Sequence, residues 1–395
     1  MQLKISALAS IALLVVAAAC GGSDDDVAVT TMEAPVETSP TTEAPATTEA
    51  PATTEAPIAT GVPTTNEAPA TTEAPATVGE WVSIPGDDCQ CSDGSPFELW
   101  QRPADPTKVL LFLEGGGACF NAETCAPDSP VFTKNLMLGE EPPASGIFDA
   151  DNPENPFVDY SIVYLPYCTG DAHLGGRINQ YSDSLTISHT GFDNASKGLD
   201  TVVADYAAVE QLVVAGSSAG SIPAPAFAGL AADVLPDAEI VAFGDASGAY
   251  PDVPELNAEI GAEWGVEANI PDWPVNEGLT AEEWSIPGLY VQAGTQHPDI
   301  TFARFDNASD AVQIFFSGLL GVDASDLLGM MDATEAQIEA AGVPVASYIA
   351  PGDGHTILGS DDMYELEVEG VRLVDFLATL LDGGVPDDVR CVDCN

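Results

Sequence analysis

Leu212-Val213-Val214-Ala215-Gly216-Ser217-Ser218-Ala219-Gly220 runs from an apolar stretch straight into Gly-x-Ser-x-Gly. The apolar run reads as a buried strand, and the residues from Ala219 to Val234 read as a helix. A strand turning sharply into a helix needs small residues two before and two after the turn residue. Ser218 then projects from the end of a sheet beside a helix N-terminus, as an exposed nucleophile. The bland alternative is a Gly-rich turn in a chain with 36 Gly; the strand and helix in the right order argue for the nucleophile.

Working outward, further apolar runs read as buried strands: Val109–Leu113, Ile162–Leu165, Ile240–Phe243, Leu289–Gln292 and Val345–Ile349. They are short, and the segments between them have room for helices. Ala195–Glu210, Ala308–Leu320 and Tyr364–Leu381 are the further helix candidates. The expected fold is α/β-hydrolase-like, a mostly parallel sheet with helices on both faces. Val109–Leu113 leads into Glu114-Gly115-Gly116-Gly117. A glycine triplet after an early strand lets backbone N–H groups approach a substrate oxygen. Gly116, Gly117 and Ala219 are therefore the candidate oxyanion donors.

A serine nucleophile needs a base, and the chain has four His. Chain order in this class is Ser, acid, His, which leaves His297 and His355. His355 follows the late strand on a Gly-rich loop and is the favoured base; His297 precedes Pro298. Asp299, Asp306, Asp310 and Asp353 all compete for the acid, and spacing does not choose among them. His173 is a candidate for the substrate cleft, and His189 reads as structural.

The ends of the chain read differently. Lys4 and the apolar run Ile5–Ala19 have the form of a signal peptide, and the small residues before Cys20 resemble a bacterial lipobox. Residues 1–20 are thus expected as a leader with Cys20 lipidated, which would supply the only membrane attachment. Residues 21–78 repeat Thr-Thr-Glu-Ala-Pro-Ala, as at Thr41–Ala46 and Thr47–Ala52. Such a segment builds no core and reads as a disordered tether. Residues 79–395 are expected to form the α/β-hydrolase-like domain. The expected location is the cell surface, outside the cytoplasm.

Several motifs in one order resemble the pectin acetylesterase/Notum family: GGGACFNAETC (Gly115–Cys125), YCTGD (Tyr167–Asp171), GSSAG (Gly216–Gly220) and SDAVQI (Ser309–Ile314). The stretches Gly146–Asp149 and Asn152–Phe157 look like its bacterial branch. The resemblance covers roughly the last four-fifths of the chain. It implies an α/β-hydrolase fold, carboxylester hydrolysis and a Ser-Asp-His triad. On matching positions these are Ser218, Asp310 with Gln313 following, and His355, with Gly116, Gly117 and Ala219 as oxyanion donors. It implies no metal and no cofactor. The chain departs from better-known members at Gly117, where Trp is usual, and at Ser221, where Gly is usual. The expected substrate is an O-acyl, foremost O-acetyl, ester of a polysaccharide, cleaved by a monomer. The alternatives are an esterase of lipid or polymer esters, and a non-catalytic glycan- or partner-binding protein on a hydrolase scaffold.

Beyond Cys20, seven Cys remain: Cys89, Cys91, Cys119, Cys125, Cys168, Cys391 and Cys394. The expected bridges are Cys119–Cys125, and Cys89 and Cys91 with Cys391 and Cys394, leaving Cys168 as a buried thiol. A zinc site at Cys89, Cys91, Cys391 and Cys394 is the rival reading.

Nine Lys+Arg stand against 63 Asp+Glu, a net charge of −54. Phosphate binding needs clustered Lys and Arg, so nucleic acid is excluded as an expected partner. Salt screens such self-repulsion. If the acidity is adapted to saline surroundings, the melting temperature rises from low to molar salt; no gain across that range contradicts the adaptation.

Overall fold

The computed structural model describes residues 77–394. The expected leader, Cys20 and nearly all of the tether lie outside the described residues.

Thirteen strands and seven α-helices are described. The strands are β1 (Val82–Gln90), β2 (Pro96–Arg102), β3 (Asp105–Leu113), β4 (Tyr160–Leu165), β5 (Arg177–Ser182), β6 (Leu185–His189), β7 (Gln211–Ser217), β8 (Glu239–Asp245), β9 (Thr301–Asn307), β10 (Val345–Ala350), β11 (Glu367–Val368), β12 (Val371–Arg372) and β13 (Val389–Arg390). The helices are α1 (Gly191–Asp205), α2 (Ala224–Val234), α3 (Pro254–Trp264), α4 (Ile286–Gln296), α5 (Ala311–Leu319), α6 (Leu327–Ala340) and α7 (Leu373–Leu381). Nine strands make one sheet in the order β1-β2-β4-β3-β7-β8-β9-β10-β13. It is antiparallel from β1 through β2 to β4 and parallel from β4 to β13.

Side chains alternate across a strand, and here both faces are buried. Leu110, Phe112, Val213, Ala215, Val241 and Phe243 face one core, closed by Leu373, Phe376, Leu377 and Leu380 of α7. Val109, Leu111, Leu212, Val214, Ile240 and Ala242 face the other, closed by α1, α2 and α4. Each such Val, Leu or Phe removed from water stabilises the fold by about 1.5–3 kcal/mol. Residues apolar on both faces make these strands legible as unbroken apolar runs.

Four expectations need correction. Leu289–Gln292 belongs to helix α4, not a strand. Pro287 sits in its first turn, and the N-cap Ser285 side chain accepts from the Gly288 N–H. A short apolar run is periodically ambiguous, and here the cap decides. Strand β9 was not expected, because its buried Arg304 and Asp306 interrupt the apolar pattern. The helix after Ser218 starts only at Ala224, after a short 3-10 turn over Ser218–Gly220 and Pro223. Tyr364–Leu381 is not one helix: the β11–β12 hairpin, with Glu369 at φ 49° and Gly370 at φ 84°, precedes α7.

The disulfides also differ. Cys119–Cys125 is present as expected. Cys91 pairs with Cys168, and Cys391 pairs with Cys394, while Cys89 is a free thiol. The sheet order explains the failure of the proposed end-to-end bridges. Strands β1 and β13 are its opposite edges, on the order of 40 Å apart at about 4.8 Å per strand. The zinc reading falls for the same reason. Cys168 is therefore bonded, not free.

The Cys91–Cys168 bridge closes 77 residues of chain and Cys391–Cys394 only 3. By loop-closure entropy the first contributes roughly 4.5 kcal/mol and the second under about 2. Cys168→Ser should therefore lower the melting temperature well beyond Cys394→Ser; equal losses by calorimetry would contradict this.

Candidate active site

The elbow is built by close approach. A Cβ on Gly216 would stand 2.1 Å from the Gly220 carbonyl oxygen, and one on Gly220 would stand 2.0 Å from that of Leu113. Only glycine fits either place, which is why the motif has its spacing. Ser218 between them adopts φ 54°, a strained left-handed conformation for a residue with a Cβ. The turn carries its hydroxyl beyond the C-terminal end of β7.

Two other strands end nearby. Beyond β9, the Asp310 carboxylate caps α5: its Oδ1 accepts from the N–H groups of Val312 and Gln313 at 2.8 and 3.0 Å. Beyond β10, a loop with Gly352 at φ 101° carries His355. His355 Nε2 lies 2.7 Å from Ser218 Oγ, and Nδ1 lies 2.7 Å from Asp310 Oδ2. An ionised Asp310 only accepts, so Nδ1 carries the proton and Nε2 is left to accept from the serine. Asp310 is buried. The Gln313 side-chain amide donates at 3.0 Å to both Asp310 and the buried Asp306, and its oxygen accepts from Ala249 N–H. The acid thus has one orientation.

The glycine triplet packs against this elbow. A Cβ on Gly115 would meet the Ser217 carbonyl oxygen at 2.4 Å. Gly117 has φ 78°, and a Cβ there would fall 1.9 Å from the Val131 carbonyl oxygen. The paired segment around Phe132 thus fills the place that a side chain at Gly117 would take. The N–H groups of Gly116 and Gly117 make no internal hydrogen bond among the described residues. Cys119–Cys125 holds the loop beyond them.

The remaining histidines take no part in this cluster. His173 does not line the cleft: it is buried, its Nε2 is 2.9 Å from the Glu114 carbonyl oxygen, and its neighbours Ala172 and Leu174 face the cavity instead. Burial pushes its pKa down to about 4 and keeps it neutral. His189 bridges Tyr181 and the Thr169 carbonyl, and His297 pairs with Asp233.

Asp245, at the end of β8, is what the sequence reading missed. Its carboxylate accepts from Ser217 Oγ at 2.7 Å, from Ile357 N–H at 3.1 Å and from Leu358 N–H at 3.0 Å. It therefore fastens the His355 loop to the residue before Ser218. Its one signal is an acid directly after an apolar strand, which 63 acidic residues drown.

Two cavities meet at Ser218 and Gly117. One, of about 140 Å³, is walled by apolar and aromatic residues including Phe120, Trp264 and Phe316. The other, of about 630 Å³, is wider and open, and contains Thr133 and His355.

Residues 81–265 match the family model Pectinacetylesterase. That segment is of the pectin acetylesterase/Notum family. The palmitoleoyl-protein carboxylesterase NOTUM of Schmidtea mediterranea is 33% identical over 34% of this chain and 26% of its own length. The inactive palmitoleoyl-protein carboxylesterase notum1b of Danio rerio is 30% identical over 22% of this chain and 65% of its own. The matched segment thus spans about a quarter of the Schmidtea relative. Among solved structures, the Wnt deacylase Notum from Drosophila superposes with a TM-score of 0.55 at 17% identity, over 76% of this chain and 93% of that one. That likeness is one of fold. The family includes a relative called inactive, so the residues at the site must carry any argument for activity.

Asp245→Asn would turn an amide N–H₂ toward backbone donors and loosen the His355 loop. We expect kcat to fall about 10–100-fold with little change in KM, as for other orienting groups. Burial raises the Asp245 pKa from 3.8 to about 6. The folded state then holds its proton where the unfolded chain has lost it, so this residue costs stability as pH rises from about 4 to about 6. The Asn variant should lose that part of the pH dependence. Wild-type kcat in the variant would contradict the role.

Proposed function

We propose that this protein is a serine carboxylesterase whose acyl group is larger than acetyl and whose alcohol is a large polar molecule. The hydrogen-bonded series Ser218–His355–Asp310, with 2.7 Å at each link, carries the reading. His355 takes the Ser218 proton as the oxygen attacks the ester carbonyl. The oxyanion is held by the N–H groups of Gly117 and Ala219, each worth about 3–4 kcal/mol by comparison with other such holes. Asp310 stabilises the imidazolium. His355 then protonates the departing alcohol, and water activated by the same ring hydrolyses the acyl-serine.

The two cavities support an assignment of the two halves of the ester. The apolar one, about 140 Å³, is near the size that admits a single benzene ring in a protein core. It suits an acyl group of roughly six carbons and exceeds what acetyl fills. The open one suits a sugar or another bulky alcohol. The family-model name Pectinacetylesterase favours a second reading, acetyl esters of polysaccharide, in which the apolar cavity stays unused. The disulfides and the lipobox-like leader support a surface-tethered enzyme acting outside the cytoplasm. No helix among the described residues is long and apolar enough to cross a membrane; the attachment we propose is a lipid on Cys20.

The test is turnover of p-nitrophenyl acetate, butyrate, hexanoate and palmitate. At about 0.8 kcal/mol per buried CH₂, hexanoate should exceed acetate by ~10²-fold in kcat/KM, with palmitate falling away. Ser218→Ala should lower turnover by ~10⁴-fold or more. Equal turnover by Ser218→Ala would overturn the catalytic reading, and a maximum at acetate would overturn the assignment of the acyl cavity.

A further inference from the structure

The apolar cavity beside Ser218 is not purely apolar. Trp284 and Ser317 both line it, both are buried, and Trp284 Nε1 and Ser317 Oγ are without any hydrogen-bond partner. Tyr250 lines the same cavity and is only partly buried, so its hydroxyl is a more open polar group beside those two. Burial, with the Asp310 and Asp306 charges adding to it, raises its pKa, so the phenol stays neutral and able to donate.

Buried indole N–H and phenol O–H groups ordinarily find partners, because leaving them unpaired is costly. Ser317 has a local alternative, since a helical Ser can bond the carbonyl four residues back, yet it does not take it. A plain alkyl chain fills the volume of this cavity but leaves the two buried groups, Trp284 Nε1 and Ser317 Oγ, unpaired. They suit a ligand bringing oxygen into the cavity. The walls add a second constraint: Phe120, Trp264, Trp284 and Phe316 are aromatic, and the volume is that of about one six-membered ring. Rings stack or meet edge-to-face on such walls.

We propose that the acyl group taken by this cavity is a hydroxyl-bearing aromatic ring, its hydroxyl bonded by Trp284, Ser317 or Tyr250. The proposal rests on the esterase reading above and names its acyl class. Trp284 N–H can only donate, so it calls for an oxygen acceptor. The Ser317 and Tyr250 hydroxyls can donate or accept, so the ring hydroxyl's own proton also has a place. A site that bonds a substrate hydroxyl rejects the analogue lacking it far more strongly than an apolar pocket rejects a missing methylene.

The experiment compares matched methyl esters, 4-hydroxycinnamate against cinnamate and 4-hydroxybenzoate against benzoate, with p-nitrophenyl hexanoate assayed on the same preparation. Within at least one pair, wild-type kcat/KM should favour the hydroxylated ester at least tenfold. At least one of Trp284→Phe, Ser317→Ala and Tyr250→Phe should bring that ratio to near one. Each ratio is internal to one variant, so a partly folded preparation does not distort it. Hexanoate turnover with ratios of one or less in both pairs, or with ratios unmoved by all three substitutions, overturns this proposal and leaves the esterase reading standing. Loss of all ester turnover, hexanoate included, overturns both.

Discussion

The structure depends on a backbone contact. Gly220 lies so close to the carbonyl oxygen of Leu113 that no side chain could stand between them. This contact locks the turn after β7 against the end of β3, the strand that leads into the glycine triplet. The proposed nucleophile Ser218 and its proposed upstream oxyanion donor Gly117 come from stretches about 100 residues apart, and the contact sets their separation. The strain at Ser218 is sustained by the same packing, since two buried strands hold the turn from either side.

From that point the site is assembled by carboxylates in two different ways. Asp310 is held on both oxygens, by the α5 amides and by Gln313, and presents one oxygen to His355. Asp245 touches no reacting atom. It gathers Ser217, Ile357 and Leu358, and so transmits the position of the elbow to the loop that carries the imidazole. Parallel strands β7, β8, β9 and β10 are sequential neighbours in the sheet, and each contributes one piece from its C-terminal end. Ligands of open α/β sheets bind at that edge for this reason.

What could be read from sequence followed from how local each signal is. The elbow was legible because strand, small residues and turn are contiguous, and burial on both faces made most central strands plain. His355 was legible from chain order. Asp310 needed the family resemblance, because a carboxylate acquires its role from distant neighbours and the chain offers dozens. Asp245 stayed hidden for the same reason. The cysteines misled because pairing depends on which strands form the sheet edges, and nothing local places β13 opposite β1. Leu289–Gln292 misled because four apolar residues fit either period until Ser285 and Pro287 are recognised as a helix start. The cavity's two buried unpaired groups, on Trp284 and Ser317, come from separate stretches of chain and had no signal in the sequence.

The central claim is that Ser218 is a nucleophile because His355 activates it. The most direct measurement is labelling by an alkyl fluorophosphonate, with the modified peptide located by mass spectrometry. The account predicts a stoichiometric adduct on the peptide containing Ser218, with a labelling rate that collapses in His355→Ala. An adduct on another residue, or an undiminished rate without the imidazole, would contradict it.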